Sequence, residues 1–186
     1  EQIIRRAPEE WFWVHNRWKT PTPEFLLSAY RRGVEYPDDY DVERDLKQFR
    51  IVIRSPNPLG DACMAVPTVR AIKHGRPDAH VTVLCTENTA DLWNAVRHVD
   101  QVISTAPKAS IFTIRKLLRM WDAYDVGIAF PNSMRSAYEL WFAGVPHIVG
   151  YKGHNRTWFL DQIVPERRLP GPAEHQAWRY MRICLL

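Results

Sequence analysis

The chain has 186 residues, 46% of them apolar and 25% charged, and a formal net charge of +4. These are the proportions of a folded globular protein; they exclude a disordered or fibrous one, and the length suffices for one good core with a small appendage. The mild positive charge suits anionic partners without selecting one. No apolar run approaches the roughly 20 residues a membrane-spanning helix needs, and no charged-then-apolar leader opens the sequence, so a cytoplasmic location is expected.

Three cysteines, Cys63, Cys85 and Cys184, stand far apart with no CxxC pair, which predicts buried free thiols. Eight tryptophans are many for this length, and Trp11, Trp13 and Trp18 crowd one segment. The chain starts at Glu1 without a methionine and ends in a helical pattern, as a piece of a longer protein would.

In chain order, residues 1–20 read as a helix. Pro8 stands as a first-turn proline, and Trp11, Val14, His15 and Trp18 recur at helical spacing above the basic Arg5, Arg6, Arg17 and Lys19. Such a helix can lie on a membrane interface or cover the core of another domain. Thr22 and Pro23 start a second helix that Gly33 ends. Residues 35–47 are acidic, contain Pro37 and read as a linker, with a domain boundary near residue 48.

From residue 49 onward strands and helices alternate. Ile51, Val52 and Ile53 form a short β-branched run between Arg50 and Arg54, the pattern of a strand buried on both faces. Pro56 and Pro58 end it, and Ala62, Val66, Val69 and Ile72 fall at helical spacing, predicting a helix over 61–74. Further strands are expected at 80–85, 101–103, 125–130 and 148–149, with helices at 87–97, 111–121, 133–143 and 173–186. Residues after 149 read as a basic loop. This alternation predicts an α/β fold: a parallel sheet with helices on both faces.

Ligands of such sheets sit at the carboxyl ends of the strands, at the point where the winding reverses. With the strand order 3-2-1-4-5, the loops after strands one and four share one crevice. Asn57, Gly60 and Asp61 come from the first, Asn132, Ser133 and Arg135 from the second, and the loop holding Lys152, His154 and Arg156 borders the same edge. Arg54, Arg135, Lys152 and Arg156 would face a common space, where guanidinium forks suit carboxylates and phosphates.

Two loop motifs carry a family resemblance. Arg54-Ser-Pro-Asn-Pro-Leu-Gly-Asp61 with Ala65-Val-Pro67, then Pro131-Asn-Ser-Met-Arg-Ser136, Ala143-Gly-Val-Pro146 and Gly150-Tyr151, resemble the ADP-heptose:lipopolysaccharide heptosyltransferases of glycosyltransferase family 9, on the heptosyltransferase II branch. The resemblance runs from about residue 49 to the end. It implies the amino-terminal, acceptor-binding, Rossmann-like half of a GT-B enzyme (residues 49–186), with the donor-binding half beyond it, and maps the family's catalytic aspartate onto Asp61. Residues 1–22 are similar to the carboxyl-terminal tail of the lipid A lauroyl/myristoyl acyltransferases, and residues 23–48 join the two parts. The implied protein is a fusion acting on lipid A at the cytoplasmic face of the inner membrane, in peripheral contact with it.

The implied reaction is inverting transfer of heptose from ADP-L-glycero-D-manno-heptose to the inner core of lipopolysaccharide. A sugar hydroxyl is a poor nucleophile until a base takes its proton, which is the role implied for Asp61. Spacing alone favours Asp61 as an ordinary N-cap. Asn57, Gly60, Asn132, Ser133, Arg135, Lys152 and Arg156 are the expected acceptor contacts. For Ser133 the alternative is a helix cap, and for the cations it is solvation.

Asp38-Asp-Tyr-Asp41 imitates a metal-binding DxD but lies in the linker. The seven histidines show no paired ligand spacing, so no metal is expected. There is no GxGxxG after strand one and no GxxxxGK[ST]; no cofactor is expected beyond the sugar-nucleotide substrate, and no nucleic-acid partner. The competing readings are a non-catalytic, membrane-associated Rossmann-like binding module and a family 9 transferase of another sugar.

Overall fold

The computed structural model describes residues 48–121, 123–153, 155–166 and 175–185. The expected first two helices, the acidic linker, its DxD-like run and His154 lie outside these residues. Within them the alternation is as expected: β1 (Arg50–Arg54), α1 (Leu59–Gly75), β2 (His80–Thr86), α2 (Glu87–Asn94), β3 (Gln101–Thr105), α3 (Ile111–Arg119), β4 (Val126–Ala129), α4 (Met134–Ala143) and β5 (His147–Tyr151). A 3-10 turn (Thr157–Phe159), a sixth strand β6 (Gln162–Val164), α5 (Gln176–Met181) and a final 3-10 turn (Arg182–Leu185) follow.

All pairings are parallel, in the order β3-β2-β1-β4-β5-β6. The expected 3-2-1-4-5 order therefore holds, and β6 extends the sheet where a basic loop was expected. All five residues of β1 are buried, as a central strand covered on both sides requires. Alternate residues face opposite ways. Ile51 and Ile53 pack with Ala62, Val69, Trp93 and Tyr180, which places α1, α2 and α5 on one face. Val52 and Leu84 pack with Ile114, Leu118 and Leu140, which places α3 and α4 on the other.

Helix α1 begins at Leu59, two residues before the expected start, with Pro58 as its N-cap and no side-chain cap. It continues through Pro67. Helix α4 starts with the Ser133 hydroxyl accepting from Ser136 N at 3.3 Å. It ends at Gly144 in the left-handed region, φ 88°, where a side chain would be strained. Cys63 is exposed, contrary to the expectation for the thiols, because it falls on the outward side of α1; Cys85 is buried in β2.

Candidate functional site

Because β1 and β4 are neighbours, the loops after them open on the same edge of the sheet, at the point where the winding reverses. Asp61 occupies the third position of α1, inside the first turn and past the cap, so an N-cap role is excluded by position. A carboxylate there interacts favourably with the positive end of the helix dipole. It is partly exposed, and among the described residues no hydrogen bond or ion pair engages it. Its charge acts on Tyr180 of α5, which packs on α1. Burial raises the Tyr180 phenol above its usual range, and the Asp61 charge adds to the effect. Beside Asp61, Gly60 leaves its surroundings open: a Cβ there would meet nothing within 4 Å.

A small open pocket of about 100 Å³ lies at the same edge, lined by Arg54, Asn57, Thr86, Ser133, Arg135 and Glu139 among others. Formed small-molecule sites are roughly 300–1,000 Å³, so this pocket alone has room for no more than a small group or a few waters. Its chemistry centres on Glu139, 2% exposed. The Arg54 Nε donates to one carboxylate oxygen at 2.7 Å and the Arg135 Nε to the other at 2.8 Å. The remaining Arg54 nitrogens donate to Ser55 O at 2.7 Å and to Asn57 Oδ1 at 3.1 Å. Arg54 therefore has its whole fork engaged and braces the loop. Arg135 is half exposed and also reaches the Ala109 carbonyl, which ties α4 to the loop before α3.

The four cations do not share one space. Arg54 and Arg135 line the pocket with Asn57 and Ser133, whereas Lys152 and Arg156 do not. Arg156 is fully buried. Its Nε donates to Tyr151 O at 2.8 Å, and its Nη1 to Pro131 O, to Ser136 Oγ at 3.2 Å and to Ser133 O at 3.4 Å. It clamps the loop after β5 to the loop after β4. Burial lowers its pKa to about 10, and the charge of Arg179 contributes. Lys152 is exposed. Asn132 is partly exposed, but its side-chain oxygen is buried with no partner among the described residues. Gly153 (φ 54°) lies so close to Asn132 that a Cβ would come within 2.5 Å of the Asn132 carbonyl oxygen.

Sequence reading missed Glu139, the acid on which the pocket is built. Its signal is the spacing from Arg135, four residues earlier on one helix. Tyr180 was passed over as part of a terminal helical pattern; nothing in the sequence shows that its helix packs on α1, within reach of the Asp61 charge.

The sheet order and the shared loop edge define the doubly wound α/β fold found in GT-B heptosyltransferases. The structure of the Escherichia coli ADP-heptose lps heptosyltransferase II superposes with a TM-score of 0.63 at 27% identity, over 73% of this chain and 40% of that one. A glycosyl transferase family 9 structure from Veillonella parvula shares the fold, with a TM-score of 0.63 at 21% identity, over 75% of this chain and 41% of the other. In sequence, the chain is 25% identical over 118 residues to lipooligosaccharide heptosyltransferase 2 of Haemophilus ducreyi, spanning 61% of this chain and 34% of that protein. It is 24% identical over 119 residues to lipopolysaccharide heptosyltransferase 2 of Escherichia coli, with the same coverage. The chain thus spans about a third of the length of these curated relatives. No protein-family model matches it.

Proposed function

We propose that residues 49–186 are the acceptor-binding half of an inverting heptosyltransferase that uses ADP-heptose to extend the lipopolysaccharide inner core. The observation that carries this reading is the position of Asp61. It is a partly exposed carboxylate on the first turn of α1, unengaged among the described residues, at the loop edge of a sheet shared with heptosyltransferase II. In this reading Asp61 takes the proton of the attacking sugar hydroxyl as the bond to the donor forms. Asn57, Gly60, Asn132, Ser133, Arg135 and Lys152 contact the acceptor. Arg156 acts as a positioning residue through the carbonyls it holds. Sugar-nucleotide binding belongs to the part of the relatives that this chain does not span, so the chain alone should not turn over.

Residues 1–22 are proposed as the tail of a lipid A acyltransferase joined by residues 23–48, and the work as taking place at the cytoplasmic face of the inner membrane. The test is Asp61→Asn in the protein carrying both halves. Expected is an unchanged fold with heptose transfer lost; near-normal turnover refutes the assignment. A chain that binds a truncated Kdo-lipid A acceptor while the two-half protein transfers nothing would instead support the non-catalytic binding module, and transfer from another sugar nucleotide would support the family 9 alternative.

A further inference from the structure

We infer that the outer surface of α3 and α4, together with the turn at Trp158, docks on an anionic lipid bilayer. A surface helix normally turns polar side chains outward. Helix α4 already buries Ala137, Leu140 and Ala143 on its inner side, yet Met134, Tyr138, Trp141 and Phe142 recur along its outer side at helical spacing. Met134 and Trp141 are half exposed.

Tyr138 stacks on Trp141 at 5.8 Å and on Phe142 at 5.7 Å, and Phe159 closes on Tyr138 at 5.2 Å. Phe112 of α3 meets Phe142 edge-on at 5.4 Å while remaining 68% exposed. Next to Phe159, Trp158 is 89% exposed. A contiguous exposed aromatic patch marks an interaction surface, and tryptophan and tyrosine, apolar bodies with polar tips, favour the membrane–water interface.

Charge selects the occupant. Residues 101–161 carry seven Lys and Arg against four Asp and Glu. Of the four acids, Glu139 is buried between two arginines. Asp125 caps the start of β1 at the opposite edge of the sheet, Asp161 is exposed after the turn but accepts from Ile148 N at 2.8 Å, and Asp122 lies outside the described residues. The Arg115 guanidinium sits 4.6 Å over the Phe142 ring, and the exposed Lys116 and Arg119 continue along α3. Apolar rings among an excess of cations, with the exposed Asp161 at the margin of the turn, match anionic headgroups over acyl chains. A side chain as exposed as Trp158 offers itself to a medium that can flow around it.

The same two helices line the pocket through Ile114, Arg135 and Glu139, so a docked surface would bring the pocket to headgroup level. The inference stands on the exposed rings and their charges and does not depend on sugar transfer, so the two fail separately.

The test is co-sedimentation of the full 186-residue chain with phosphatidylcholine vesicles, with and without phosphatidylglycerol. The wild type should bind the anionic vesicles, more weakly at high salt. The Trp141→Ala/Trp158→Ala variant, its fold checked by circular dichroism, should need about tenfold more lipid for half-binding, since affinity follows buried apolar area. Three results overturn the inference: no binding by the wild type, a variant that binds equally well, or a wild-type dimer that the variant dissolves, which would make a second copy the occupant.

Discussion

Glu139→Ala removes the single carboxylate that faces both Arg54 and Arg135. The Arg54 side chain is 10% exposed and Glu139 1%, so the substitution strands a buried guanidinium whose other partners, Ser55 O and Asn57 Oδ1, are neutral. Removing one partner of a buried pair costs about 3–5 kcal/mol. Arg135, half exposed, adds about 0–1 kcal/mol, since water replaces its lost partner. Against a domain stability of about 5–15 kcal/mol, that loss is about a fifth or more, and it corresponds to a fall in Tm of about 6–24 °C.

Urea unfolding followed by circular dichroism measures the effect; the midpoint should drop with the slope unchanged. The Arg54→Met/Glu139→Leu pair should recover most of the loss, because an apolar replacement of a buried ion pair is close to neutral. A single-variant loss below about 1 kcal/mol, or a double variant as unstable as the single, refutes the buried-triad account.

Gly153→Ala should destabilise by about 1–3 kcal/mol, because φ is 54° and the new Cβ would press on the Asn132 carbonyl and the Arg156 guanidinium; a Tm equal to wild type would contradict it. Burial lowers the pKa of His80 below 6.5, with Arg50 and Lys73 acting in the same sense against Asp100. The folded state therefore binds fewer protons than the unfolded one between these values, so stability is greatest above 6.5 and falls as pH drops through the folded pKa. His80→Gln should flatten that slope, and an unchanged urea-midpoint profile would refute it. Cys63 is exposed and Cys85 buried with its thiol pushed up by burial, so in a Cys184→Ser background a maleimide should label Cys63 in the folded protein and reach Cys85 only after unfolding. Equal labelling rates at the two cysteines would contradict that reading.

Much of the fold was legible because its signals are local. The β-branched run at 51–53 between two arginines announces a buried strand, the prolines at 56 and 58 announce its end, and Gly144 marks the end of α4. Strand β6 was not legible because it has three residues, two of them exposed, and therefore shows no apolar period. The early start of α1 was hidden because Pro58 caps it by backbone geometry alone.

The site was legible in its loops and less so in its charges. A sequence shows that residues 54 and 156 are arginines; it does not show that one is spent on Glu139 and the other on backbone carbonyls. Apart from Tyr151, those partners come from distant elements, brought together by the sheet order. Asp61 was found as the carboxylate after a strand-ending loop, and its lack of a partner among the described residues became visible only in three dimensions.

The Arg156 clamp has a mechanical consequence. Its hydrogen bonds pin Tyr151, at the end of one strand, to Pro131 and Ser133 beyond the neighbouring strand, and Gly153 abuts Asn132 with no room for a methyl group. These contacts couple the two connecting segments, so a molecule that shifts one of them would pull on the other.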